Sequence, residues 1–122
     1  MKYSLGDNIP GETRSNEVYT VTDNQDLSKL ILSYVKLHRN QSTRGHSHNG
    51  IEEVYFFMFG EGHMIVGDNR FFVKSGDVVQ VKDGLFHKVM NDGATDMIWY
   101  SVYNRSNENN TIYASNEQYI LR

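Results

Sequence analysis

The sequence predicts an all-β domain, and three of its features carry that reading. Turn chemistry built from Gly, Asp, Asn and Ser recurs about every ten residues, the spacing at which antiparallel sandwiches and barrels reverse direction. Between the turns lie short runs rich in Val, Ile, Phe and Tyr with period-two alternation, which suits a pleated surface with one face buried. At 122 residues and 39% apolar content, the chain is long enough for one domain (1–122) with a modest core and too short for two.

Residues 1–16 are polar and hold the single proline, Pro10, beside Gly11; they read as an irregular N-terminal arm with room for one short strand. Glu17–Thr22 reads as the first strand. Asp26–Ile31 is either a short helical turn or the lead-in to a strand over Leu32–Leu37, whose inward residues would be Val35 and Leu37. Val54–Phe59 is apolar on both faces, as a strand is when one face fills a barrel and the other is covered by a second layer or a partner chain. Gly60-Glu61-Gly62 reads as a turn, Met64–Val66 as the next strand, and Gly67-Asp68-Asn69-Arg70 as a hairpin turn. Phe71–Val73, Asp77–Val81, Phe86–Met90 and Met97–Tyr103 supply the remaining strands, with Trp99 assigned to the core. Residues 104–122 form an Asn-rich C-terminal extension interrupted by Thr111-Ile112-Tyr113 and Tyr119-Ile120-Leu121.

Composition removes several function classes. A net charge of −3 and 12 scattered basic residues leave no nucleic-acid footprint. Zero cysteines exclude disulfides and thiolate ligation and are compatible with a reducing cytosol. Residues 1–8 lack an apolar signal core, and no run approaches a membrane span. The expectation is a soluble cytoplasmic protein. The glycosylation tripeptides at Asn40, Asn104 and Asn109 are then chance matches.

The chemistry concentrates between Gly45 and Asn91. Gly45-His46-Ser47-His48 is followed by four residues to Glu53 and six to Gly60; Gly76 leads through Gly84 to His87 and Asn91. If His46 and His48 sit on a strand, they face one way while Ser47 faces the other. Glu53 returns on the next strand and His87 on a later one. Three imidazoles and one carboxylate suit a divalent first-row metal, leaving one or two positions open for water or substrate. These ligands accept Mn, Fe, Co, Ni or Zn.

This arrangement resembles the cupin superfamily, whose first motif reads Gly, five residues, His-x-His, three or four, Glu, six, Gly, and whose second reads Gly, five, Pro-x-Gly, two, His, three, Asn. His46, His48, Glu53 and Gly60 meet the first motif, although Gly45 stands directly before His46. Gly76, Gly84, His87 and Asn91 meet the second, with Lys82 in place of proline. The resemblance covers about residues 32–103 and implies a small double-stranded β-helix barrel of jelly-roll type. It also implies a homodimer, with which the two-faced strand Val54–Phe59 is consistent.

Parity nominates further residues around the cavity. Arg44 shares parity with His46 and would hold a phosphate or carboxylate at the mouth; the alternative is a solvated loop arginine. Tyr55 and Phe59 share parity with Glu53, and Tyr55 is either a proton donor beside the metal or a packed wall residue. His63 and His38 read as surface histidines. The superfamily's small members include isomerases, dioxygenases and proteins that only bind a ligand, so the fold does not select one. A metal acting as Lewis acid on an α-hydroxycarbonyl would make the chain a sugar or sugar-phosphate isomerase, the preferred reading. An Fe(II)-dependent dioxygenase and a non-catalytic small-molecule-binding module are the alternatives.

Overall fold

The computed structural model describes residues 2–4 and 9–105. Among them are nine strands: β1 (Glu12–Ser15), β2 (Tyr19–Asn24), β3 (Leu30–Leu37), β4 (Glu53–Phe59), β5 (Glu61–Val66), β6 (Asn69–Lys74), β7 (Val78–Val81), β8 (His87–Met90) and β9 (Met97–Asn104). The apolar segments Thr111-Ile112-Tyr113 and Tyr119-Ile120-Leu121, and the tripeptide at Asn109, lie outside the described residues. No helix among the described residues is long and apolar enough to cross a membrane.

Two antiparallel sheets enclose the interior. Six strands run in the order β1-β2-β3-β9-β4-β7, and three in the order β6-β5-β8. Alternation within each strand turns one set of side chains inward, and the registers align those sets into rows. One row crosses Val21, Val35, Trp99 and Phe57; with Met64 and Val89 from the smaller sheet these residues form the main core. Val35 and Leu37 are fully buried and Trp99 nearly so, in line with their sequence parity.

Several boundaries differ from the sequence reading for identifiable reasons. The arm does contain a strand, β1, which pairs β2 as far as Asp23, and the pairing with β3 carries β2 on to Asn24. Asp26–Ile31 is lead-in rather than helix, since residues 27–29 bend and β3 starts at Leu30. Glu61 and Gly62 are not turn residues. They open β5, and Gly60 alone, at φ 77°, carries the chain from one sheet to the other. Alanine at Gly60 would place its Cβ 2.3 Å from the Asp96 carbonyl oxygen, so this crossover needs a residue without a side chain. The hairpin is tighter than expected, with Gly67 and Asp68 joining the pair Val66↔Asn69.

A β-bulge between Phe57 and Phe59 breaks alternation at the end of β4. Phe59 therefore leaves the face of Glu53 and is 52% exposed, contrary to its parity. The outer face of the large sheet is apolar. Tyr3, Ile9, Leu32, Phe56, Met58 and Val102 line a surface groove of about 350 Å³ there.

Candidate metal centre

Each member of the sequence-nominated set is delivered by a different device. His46 is not on a strand: the segment after β3 touches β8 through two isolated bridges, Ser42↔Met90 and His46↔His87. Between those bridges the segment gains one residue over β8, a bulge at Arg44-Gly45 with Gly45 at φ 85°. Alternation consequently does not run from Arg44 to His46. Thr43 is the buried residue, accepting a hydrogen bond from the Val89 amide at 2.9 Å, and Arg44 is exposed.

His46 and His87 exchange backbone hydrogen bonds of 3.1 and 3.0 Å, and their rings meet edge to face at 4.5 Å. Glu53 opens β4, paired with Tyr103 on one side and Val81 on the other. Its preceding loop is fastened twice. The Gly50 amide donates to the Asp83 carboxylate at 2.6 Å, and the Glu52 amide donates to the Asn104 side-chain oxygen at 2.8 Å. The Gly84 amide donates to the His48 carbonyl at 3.1 Å, so the turn of the second motif steadies the residues of the first. Asn91 is structural: its amide donates to the carbonyls of Leu37 and Thr95.

His46, Glu53 and His87 each offer a ligand atom, and these atoms lie within 4.8 Å of one another. The His48 ring lies 4.3 Å from that of His46, outside this three-donor group. Glu53 and His87 are each 5% exposed. The His87 ring carries the most telling geometry. Its Nδ1 lies 3.0 Å from the Leu85 carbonyl, which can only accept, so Nδ1 bears the proton and Nε2 presents a lone pair in the neutral ring. That buried Nε2 makes no hydrogen bond, although Glu53 Oε1 is 3.4 Å away. A nitrogen facing a carboxylate at that distance is favourable when a cation lies between them, either a second ring proton, which makes the pair an ion pair, or a metal ion. The donor set thus fits a divalent metal, which would there supply Lewis acidity and positions for oxygen ligands.

Tyr55 is 2% exposed, and its ring centroid is 6.1 Å from that of His87. His63 and His38 lie away from the group. His63 Nδ1 is 2.7 Å from Asp92, and this hydrogen bond holds the Asp92 carboxyl below the ordinary carboxylate range; His38 is 3.6 Å from Asp96. The sequence reading missed Tyr103, which the β4–β9 register sets beside Glu53. Its only signal was its place on the last strand.

The Cupin domain family model matches residues 33–103. The chain is a member of the cupin family. Over 72 residues this cupin is 31% identical to the oxalate-binding protein of Thermotoga maritima, and the match covers 59% of this chain and 60% of that one. It therefore spans less than two thirds of that relative's length. A predicted oxalate decarboxylase from Thermotoga maritima shares the fold at TM-score 0.64 and 27% identity, over 76% of this chain and 90% of that one. A Klebsiella pneumoniae protein with a double-stranded β-helix domain matches at TM-score 0.70 and 23% identity, over 77% and 83% of the two chains. The all-β architecture is accordingly the double-stranded β-helix of this family.

Proposed function

We propose that this cupin binds one divalent transition metal through His46, Glu53 and His87, with His48 swinging in as a fourth ligand, and that its open positions hold a small chelating anion of the oxalate class. The observation that carries the proposal is the convergence of His46, Glu53 and His87 within 4.8 Å, with the buried His87 Nε2 making no hydrogen bond 3.4 Å from the Glu53 carboxylate. The relatives named for oxalate support the ligand class. Two carboxylate oxygens on adjacent carbons form a five-membered chelate, which suits a centre with two adjacent vacant positions. Tyr55, packed near His87, is the candidate donor to such a ligand.

The sequence preference for a sugar or sugar-phosphate isomerase leaned on Arg44 as an anion clamp, and the exposure of Arg44 on the bulge weakens that support. Arg44 keeps a part in ligand capture only as an exposed rim cation. Turnover of a carbonyl substrate without O₂ consumption would restore the isomerase reading; iron-dependent O₂ uptake would favour a dioxygenase. The reading also takes the protein as cytoplasmic and homodimeric. Support for the dimer comes from the apolar outer groove and from Phe56 and Val78, a cross-strand pair exposed at 39% and 57%.

Calorimetric titration of oxalate into protein loaded with Mn²⁺ or Co²⁺, and into metal-free protein, tests the proposal. Saturable binding at one oxalate per chain that requires the metal is the expected result. Absence of binding to the loaded protein at millimolar oxalate would sink the ligand class while leaving the metal assignment to elemental analysis.

A further inference from the structure

The metal centre leaves one buried carboxylate without a role. Asp23 on β2 is 2% exposed. Its Oδ2 accepts a hydrogen bond from Arg14 Nη2 at 2.5 Å, and its Oδ1 accepts one from the Ser33 hydroxyl. The registers then continue across the sheet: Asp23 faces Ser33, Ser33 faces Ser101, and Ser101 faces Tyr55. Ser33 and Ser101 are fully buried, and Tyr55 is 2% exposed. Asp23, Ser33, Ser101 and Tyr55 thus occupy a single inward row spanning β2, β3, β9 and β4.

The flanking rows set this one apart. On one side, Val21, Val35, Trp99 and Phe57 are wholly apolar. On the other, Ile31 and Tyr103 lead to the ligand Glu53. Apolar side chains would fill the middle row without the desolvation cost of a buried ion pair and two hydroxyls. Cross-strand neighbours on one face have Cβ atoms about 4.5–5.5 Å apart, which brings short hydroxyls within hydrogen-bonding reach of one another.

We infer that Asp23, clamped by Arg14, is a positioning residue that sets Tyr55 against the metal centre through Ser33 and Ser101. Arg14 is always charged, so it fixes the carboxylate as a pure acceptor. The Ser33 hydroxyl is thereby committed as donor toward Asp23, which leaves its oxygen to accept from Ser101, the cross-strand neighbour of Tyr55. The row ends on a tyrosine whose ring lies beside His87. Its consequence for ligand binding rests on the metal-centred reading above.

The test uses the full chain loaded with Zn²⁺ and labelled with carbon-13 at the tyrosine ring carbon that bears the hydroxyl. Tyr55→Phe assigns the Tyr55 resonance. Asp23→Asn and Ser101→Ala are each expected to shift that resonance while leaving metal content at parent level. An unmoved Tyr55 resonance in either variant, with near-ultraviolet circular dichroism showing a folded protein, overturns the inference. Should Asp23→Asn fail to fold, Ser101→Ala decides alone, because it breaks the row without uncovering a charge. Oxalate is the ligand probe: both variants and Tyr55→Phe should bind it roughly five- to tenfold more weakly, the scale of one hydrogen bond. The double variant Asp23→Asn/Tyr55→Phe should bind no more weakly than Tyr55→Phe, and losses that multiply would overturn the route through Tyr55. A shifted resonance in a parent protein that does not bind oxalate upholds the row and sinks the ligand class.

Discussion

Substituting Gly45 with alanine perturbs the metal centre without removing a ligand atom. Gly45 sits at φ 85°, where a side chain costs on the order of 1 kcal/mol or more. Its added Cβ would also lie 2.6 Å from Phe86 Cζ and 3.1 Å from Lys88 Cβ. Phe86 is 40% exposed, so its ring can swing aside at modest cost, whereas the backbone strain cannot be relieved locally. The summed loss is about 1–3 kcal/mol. For a domain of this size that lowers Tm by about 4 °C per kcal/mol. Relief of the strain requires the bulge to move, and His46 is the next residue along. Metal affinity is therefore expected to fall about tenfold, as it does when groups that orient a ligand are lost. Urea denaturation of the metal-free protein measures the first effect free of metal linkage, and competition with a chelator measures the second. Phe86→Ala added to the variant should recover only the steric part. Stability within about 0.5 kcal/mol of the parent, together with parent metal affinity, would refute the claim that this bulge aims His46.

Four further outcomes are expected. His87→Ala abolishes stoichiometric metal by elemental analysis and His48→Ala weakens it; full occupancy in the double variant would remove the site assignment. Metal affinity falls as pH drops below about 6.5, because protons compete for imidazoles that must be neutral to ligate, and an unchanged affinity at about pH 5 would argue against histidine ligation. Tyr34, raised above 10.0 by burial and by the neighbouring Tyr100, contributes stability that is present below its unfolded pKa and lost as pH rises through its folded one. Tyr34→Phe should flatten that alkaline loss in denaturation curves recorded above about pH 9.5, and an unflattened curve would assign the loss elsewhere. Light scattering at micromolar concentration should give a dimer that Phe56→Glu dissociates, and a monomeric parent would refute the interface.

How much of this was legible in the sequence depends on where period two holds. Inside the strands it held well: Val35 and Leu37 are buried as alternation assigned them, and Trp99 lies in the core to which it was assigned. The motif spacing nominated His46, His48, Glu53 and His87 as one group, and the fold brings ligand atoms of His46, Glu53 and His87 within 4.8 Å while His48 stands outside that trio. Parity failed at the two points where a bulge inserts a residue, at Arg44-Gly45 and between Phe57 and Phe59. A one-residue insertion flips every side chain beyond it to the other face. Sequence alone does not announce a bulge, but Gly45 was an available hint, because a glycine directly before His46 departs from the family spacing and supplies the positive φ that the bulge uses.

The Asp23 row was hidden for a different reason. Its members come from four strands, and only the registers, fixed by pairing across long stretches of chain, bring Asp23, Ser33, Ser101 and Tyr55 onto one line. Each looked ordinary alone. Asp23 follows the core residue Val21 at a spacing of two, so the alternation that made Val21 inward also made Asp23 inward, and a charged residue at an inward position demands a partner. Arg14 is that partner, and it lies on the strand that the arm contributes. The N-terminal arm is thus tied, through one ion pair and a row of inward hydroxyl-bearing residues, to the wall beside the candidate metal centre.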